Sequence, residues 1–283
     1  MSDFALPALM VEPIVRAALL EDLGRAGDLT TDAIVPADLT AEAVIAARQP
    51  GIVAGCQVAA LAFRLVDPAM TVTVERPDGS RVASGDVVMR IAGSARALLT
   101  GERTALNLQC RLSGIATATG ELVDAVRGTE AAVTCTRKTT PGLRALEKAA
   151  VRAGGGANHR FGLDDAVLIK DNHIALAGSV TAAIERARAR IGHLVKIEVE
   201  VDTLQQLEEA MTAAPDVVLL DNMGPETLAK AVAFVDGRAI LEASGRITRE
   251  TARAIAETGV DIVSAGWLTH SSKALDLGLD IGV

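Results

Sequence analysis

Residues 195–244, VKIEVEVDTLQQLEEAMTAAPDVVLLDNMGPETLAKAVAFVDGRAILEAS, repeat one pattern in which a β-branched apolar run is followed by a helical run. The strands predicted here are VKIEVE (195–200), DVVLLD (216–221) and AILEAS (239–244), with helices over 203–214 and 225–235. The same unit recurs outward from this core. AAVTCT (131–136), AVLIK (166–170) and DIVSAG (261–266) read as further strands, and 143–153, 179–191 and 248–258 as further helices. Regular alternation of β and α means parallel strands, and about six units favour a barrel, with an open doubly wound sheet as the alternative. No G-x-G-x-x-G follows any of these strands, so the dinucleotide fingerprint is missing.

The first part of the chain has a different grammar. AVIAAR (43–48), TVTVER (71–76) and RVASGDVVMRIAG (81–93), with the turn PDGS between the last two, predict an antiparallel sheet. A helix should follow from about Ala95, carrying Arg103 and Arg111 on its more polar side and interrupted at Ser113-Gly114. The two grammars meet between residues 110 and 120.

Composition removes several classes of function. With 49% hydrophobic residues in 283, the chain can bury a sizeable core. It has no apolar run of membrane-spanning length, and its start lacks a basic segment leading into an apolar one, so a soluble cytoplasmic protein is expected. Cys56, Cys110 and Cys135 have no C-x-x-C spacing and read as small buried hydrophobes. No Tyr, one Trp and four Phe argue against base-stacking platforms for nucleic acid.

Charge is unevenly placed. The overall formal charge is -8, yet residues 136–174, TRKTTPGLRALEKAAVRAGGGANHRFGLDDAVLIKDNHI, hold seven Arg and Lys against four acids. Pro141 reads as the first turn of a helix, where the cations Arg137 and Lys138 would oppose the macrodipole unless an anion joins them. A local basic pocket in an acidic protein suits a small multiply charged anion rather than nucleic acid.

In barrels the active site lies at the C-terminal ends of the strands. Those ends carry Arg137-Lys138, Lys170-Asp171, Glu198 with Glu200, Asp221-Asn222, Glu242 with Ser244, and Ser264 with Gly266. Lys196, Glu198 and Glu200 alternate along one strand and share a face, so Lys196 and Glu198 could form an ion-pair layer inside the barrel. Glu200 and Asp221, nearest the strand exits, suit a metal or ligand role. Two carboxylates without a neighbouring Cys or His cluster match Mg²⁺, which is held together with substrate phosphates. Ser244-Gly245-Arg246 and Ala265-Gly266 follow the last two strands, where barrels build phosphate cradles. His159-Arg160 ends the Gly154–Gly156 loop with donors suited to a carboxylate, while His173, His193 and His270 are scattered.

The 136–174 block, with GERTALNLQCRLSGIAT (101–117) before it and EVEV, LLDNM, LEASG and LTHS after it, closely resembles the quinolinate phosphoribosyltransferases, the carboxylating nicotinate-nucleotide pyrophosphorylases. The likeness runs from EDLGRAGDLTTDAI (21–34) to LDLGLDI (275–281). It implies an α/β sandwich domain over 1–115, completed by 268–283, and an incomplete TIM-like α/β barrel over 116–267. It implies a reaction of quinolinate with phosphoribosyl pyrophosphate and Mg²⁺, giving nicotinate mononucleotide, pyrophosphate and carbon dioxide. Quinolinate contacts fall on Arg103, Arg137, His159, Arg160 and Lys170, with Lys138 between the substrates. The ribose and metal side falls on Glu200 and Asp221, and the phosphate side on Ser244, Gly245, Arg246, Ala265 and Gly266. Lys138, Glu200 and Asp221 are the implied catalytic groups, and the implied assembly is a homodimer, with higher assembly open, in which Arg103 crosses to the partner's site.

Three positions depart from the pattern: Arg246 replaces a common second glycine, Trp267 follows Gly266 where a small residue is usual, and Ala149 replaces an aromatic. Four rival readings remain at this stage. A relative associated with molybdenum transport shares the fold but alters the TRKT and NHR segments, which stand intact here. A Schiff-base aldolase would use Lys170 without an arginine clamp. The GSRVASGDVV hairpin (79–88) resembles a biotinyl or lipoyl carrier, but no lysine occurs in residues 1–137. The fourth is a non-catalytic metabolite sensor.

Overall fold

The structure, a computed structural model, describes residues 6–282; residues 1–5 and 283, the outer ends of the expected sandwich unit, lie outside it. The chain forms two compact units. The first runs to Gly120 and includes Thr139–Gly155 and the segment from Leu268 onward; the second comprises Glu121–Lys138 and Gly156–Trp267. Residues 116–120 and 139–155, expected with the barrel, therefore group with the first unit. The reason is close packing: a Cβ at Gly154 would collide with the carbonyl of Ala116 and the side chain of Thr119.

The first unit contains a four-stranded antiparallel sheet in the order Leu277–Ile281, Thr40–Ala47, Val87–Ser94, Thr71–Val74. The short strand Arg81–Val82 pairs instead with Gly51–Ile52, so residues 79–88 do not form the projecting hairpin of a carrier module. The helix Ala95–Ala125 is continuous, and the expected interruption at Ser113-Gly114 is absent. Both residues are there for contact. Ser113 Oγ, fully buried, accepts from the Ala54 N–H at 3.0 Å and donates to the Ala54 carbonyl at 3.1 Å. Gly114 lets the carbonyl of Lys273 approach the helix where any Cβ would clash.

Arg111 is also not on a polar face, since it pairs with the wholly buried Glu147. Cys56 and Cys135 are buried and Cys110 is half-buried. Pro141 does not open a helix, because Thr140–Leu143 is a turn closed by Leu143 N–H to Thr140 O at 3.0 Å. Gly142 sits at φ +81° in that turn, the third-position geometry of a Pro-Gly type II turn, and the helix starts only at Arg144. The charge argument for Arg137 and Lys138 thus rests on their neighbours, not on a helix dipole.

The second unit is a parallel sheet of six strands in the order Ala132–Thr134, Ile262–Ser264, Ile240–Ser244, Val217–Asp221, Ile197–Val201, Val167–Ile169. Numbered along the chain this order is 1-6-5-4-3-2. A doubly wound sheet reverses direction at a switch point, whereas this order runs one way around and joins first strand to last, as in a barrel. No ladder links the first strand to the second among the described residues, so the barrel is incomplete and its gap lies between them. Helix faces follow the 3.6 period, with Leu207, Ala210 and Met211 on one and Leu228, Ala231 and Val235 on another turned to the core. Ser179 and Thr203 cap their helices by accepting from Ala182 and Gln206 N–H, both at 3.1 Å. Lys196 lies just before its strand and, well exposed, binds Asp216 at 2.7 Å, so it is no part of an interior layer. The short helix Asp171–Ala177 was not expected from sequence.

If Gly114 is a contact glycine, Gly114→Ala should lower stability by about 1–3 kcal/mol despite the roughly 1 kcal/mol that alanine gains in a helix. A urea midpoint above that of the parent protein would show that the approach of Lys273 does not constrain this position.

Candidate active site

At the C-terminal ends of the six strands a cavity of about 410 Å³ opens. The segments that follow the two edge strands bring Arg137, Lys138, His159, Arg160 and Lys170 to its lining, and the middle strands bring Glu200, Asp221 and Glu242; Thr136, Ser244 and Ser264 line it as well. Sequence reasoning thus brings together eight of its chosen residues: Arg137, Lys138, His159, Arg160, Lys170, Glu200, Asp221 and Ser244. Arg103 belongs to the first unit, on the long helix, with its side chain 63% exposed. Gly245, Arg246, Ala265 and Gly266 do not line the cavity.

The cations are crowded. Burial, and then the like charge of Arg137, lower the pKa of Arg160. Arg160 Nη1 donates to the Ala166 carbonyl at 3.0 Å, but Nε of Arg160 and Nε of Arg137 are buried without a partner. Guanidiniums held together in this way favour an anion with several acceptor oxygens. Asp165 shapes their loop by accepting from the backbone of Phe161 and Gly162.

Lys170 forms an ion pair with Glu200. An ammonium engaged by a carboxylate is unlike the desolvated amine an imine-forming aldolase needs. Glu200 and Asp221 end neighbouring strands, and their carboxylates are the donor set a hard divalent cation takes. His173 has a local task, its Nδ1 accepting from Lys170 N–H at 2.9 Å at the start of the short helix.

Sequence reasoning left Glu242 and Glu198 without a defined role in the site. Both are buried and face one imidazole: His159 Nε2 lies 3.1 Å from Glu198 Oε2 and 3.5 Å from Glu242 Oε2. Nδ1 of His159 accepts from Arg160 N–H at 2.7 Å, which places the ring proton at Nε2, toward the carboxylates. Burial first, and then the charge of Glu198, push the Glu242 carboxyl up to about 7, while His159 opposes the shift. The donor atoms of His159, Glu198 and Glu242 lie within 4.8 Å of one another, close enough for one ion, and Glu198 Oε1 is buried without a partner. The available signal was the pair of acids on strands otherwise buried on both faces.

The phosphate-side turn is tightly built. Gly245, at φ +93°, packs so closely on Asn222 that a Cβ would strike its side chain and backbone. Asn222 N–H donates to Ser244 O at 2.9 Å, and its Nδ2 donates to Asp221 Oδ2 at 2.6 Å. Arg246 adopts φ +50°, a conformation that glycine takes without cost. Trp267 is tied to the chain just beyond this turn, its indole N–H donating to the Ile247 carbonyl at 2.7 Å.

Because the folded-state pKa of Glu242 is raised, its protonated form stabilises the fold below pH 4.5, and that contribution is lost as pH rises toward 7. Glu242→Gln should therefore increase unfolding free energy at pH 8, by on the order of 2–3 kcal/mol, and change it far less at pH 5. Parallel stability–pH curves for the two proteins would show that the carboxyl ionises freely.

Residues 28–113 match the family described as quinolinate phosphoribosyl transferase, N-terminal domain, and residues 115–280 match its C-terminal domain. A probable carboxylating nicotinate-nucleotide pyrophosphorylase of Bacillus subtilis is 45% identical over 273 residues, covering 96% of this chain and 94% of that protein. The carboxylating nicotinate-nucleotide pyrophosphorylase of Mycobacterium leprae is 48% identical over 272 residues, covering 94% and 95%. Among solved structures, NadC from Streptococcus pyogenes superposes with a TM-score of 0.94 at 43% identity, covering 99% of each chain. The nicotinate-nucleotide pyrophosphorylase of Francisella tularensis gives 0.94 at 38% identity, covering 98% of each. With both domains matched, and with relatives of this identity spanning nearly the whole length, the chain belongs to the quinolinate phosphoribosyltransferase family.

Proposed function

We propose that this protein transfers the phosphoribosyl group of phosphoribosyl pyrophosphate to the nitrogen of quinolinate, releasing pyrophosphate and carbon dioxide and giving nicotinate mononucleotide, a step of NAD biosynthesis. The observation that carries this reading is one cavity that gathers Arg137, Lys138, Arg160 and Lys170 together with the carboxylates Glu200 and Asp221. Arg137, Arg160 and Lys170 hold the two carboxylates of quinolinate, Arg103 adds to them from a partner subunit, and Lys138 stands between the substrates. His159, the remaining quinolinate contact of this reading, lines the same cavity, and its Nδ1 accepts from the Arg160 backbone N–H.

Holding the dicarboxylate fixes the pyridine nitrogen for attack on the anomeric carbon, a positioning effect worth several kcal/mol. A bond forms from nitrogen to that carbon as the bond to pyrophosphate breaks. The pyridinium nitrogen then stabilises the electron pair left on the ring carbon when its carboxylate departs as carbon dioxide, and a proton takes that position. This requires bond formation before decarboxylation. Glu200 and Asp221 fit Mg²⁺, which when bound supplies neutralising charge at the departing pyrophosphate. Ser244, which lines the cavity, is assigned to the phosphate side together with Gly245, Arg246, Ala265 and Gly266, which follow Ser244 and Ser264 in the chain without lining it.

The homodimer is supported by the exposed apolar side chains Leu9, Leu20, Leu29 and Ile34 and by the exposure of Arg103. A cytoplasmic location accords with the absence, among the described residues, of any helix long and apolar enough to cross a membrane.

Carbon dioxide released from carboxyl-labelled quinolinate should depend on both phosphoribosyl pyrophosphate and Mg²⁺, and Arg137→Ala should reduce kcat/KM for quinolinate by roughly 100-fold with unchanged circular dichroism. Folded protein that releases none would sink the assignment. Mixing Arg103→Ala with Arg137→Ala subunits should restore part of the activity; demonstrably mixed dimers that stay inactive would refute a shared site.

A further inference from the structure

The helix Arg144–Ala153 carries Glu147, whose side chain is wholly buried. Its Oε1 accepts from Thr140 Oγ1 at 2.7 Å and from Arg111 Nη2 and Nε at 3.0 and 3.3 Å, and its Oε2 accepts from Thr140 N–H at 3.0 Å. These four donors satisfy a carboxylate removed from water. Such a pair is a poor source of stability, because well-packed apolar residues of similar volume do as well or better. What it does provide is one geometry for the groups it joins.

Those groups adjoin both sides of the proposed site along the chain. Thr140 opens the type II turn and is separated from Lys138 only by Thr139. Arg111 also donates to the Thr269 carbonyl, three residues beyond Gly266, and reaches that of Ser272 at 3.5 Å. Between Thr140 and Arg137 the chain is held further by Arg144 Nε, which donates to Thr139 Oγ1 at 3.0 Å, and by Lys138 N–H, which donates to Thr136 Oγ1 at 3.0 Å, so a fixed Thr140 anchors a short segment that is already tied.

We propose that Glu147 and Arg111 are positioning residues for the transferase. Their buried ion pair anchors Thr140 and the Thr269–Ser272 segment, and so sets where the chain carrying Arg137-Lys138 and the chain leaving Ala265-Gly266 must run. This rests on the reading of the cavity as a phosphoribosyl transfer site. The pair touches no substrate, and its effect is carried by the backbone.

The test compares Glu147→Gln, Thr140→Val and Thr140→Ser by steady-state kinetics, melting temperature and hydrogen exchange of the amides in residues 137–143. Thr140→Val removes the hydroxyl but keeps the shape, and serves should Glu147→Gln fail to fold. Expected are faster exchange in this segment and a roughly 10- to 100-fold fall in kcat/KM for quinolinate, mainly through KM, in the Gln and Val variants, with Thr140→Ser near the parent. Unchanged exchange, or faster exchange with unchanged kcat/KM, overturns the proposal. Should the parent itself not turn over quinolinate, the functional reading fails separately, and exchange in 137–143 alone decides whether the pair anchors this segment.

Discussion

Two carboxylates buried inside a parallel barrel impose the constraint on which the second unit depends. Glu198 and Glu242 come from strands that flank Val217–Asp221, both buried, and the charge of Glu198 adds to the cost that burial places on ionising Glu242. A fold that keeps them must supply a proton or a cation at that spot. His159 meets this need, and to reach it the chain passes through Gly154-Gly155-Gly156. Arg160 follows immediately and its backbone N–H donates to the same imidazole, so the ring beside the acids also holds the chain that carries one of the cavity's guanidiniums.

The strand order then separates the charges. The first and second strands of the barrel lie at the two edges of the sheet, flanking its gap, and the segments after them deliver Arg137, Lys138, His159, Arg160 and Lys170. The middle strands deliver Glu198, Glu200, Asp221 and Glu242. A cavity built this way is bipolar by topology. On the proposed reading its basic groups meet a dicarboxylate and its carboxylates a cation-bearing diphosphate ester, and at about 410 Å³ it is far too small for a nucleic-acid duplex.

The repeating units of the second half were legible because strand and helix periods alternate cleanly from residue 195 to 244, and the strand ends together with the end of the glycine loop led to eight of the cavity's residues. The misreadings share a cause: local signals have two physical uses. Ser113-Gly114 signals a helix break or a close backbone approach, and only the position of Lys273 decides between them. Pro141 suits a helix start or a turn, and Gly142 at positive φ settles it as a turn. Lys196 alternates with Glu198, but the strand begins one residue later. Glu147 in its helix looks like any exposed acid until Arg111, 36 residues away, is seen against it.

Lys170 and Glu200 show why such a cavity does not simply collapse on itself. They pair directly across the boundary between the cationic and acidic walls, while Arg137 and Arg160 remain crowded by like charge. On the proposed reading, a dicarboxylate offers Lys170 a new partner and a divalent cation offers Glu200 another, so both substrates together can replace what either alone would leave unpaired. Opening the pair for one substrate alone leaves the other member without its partner, and the cost falls mainly on Glu200, whose side chain is the more buried of the two. A bridging pair between two walls therefore favours joint occupancy over single occupancy, which is what a reaction needs when its electrophile would be hydrolysed if it were activated alone.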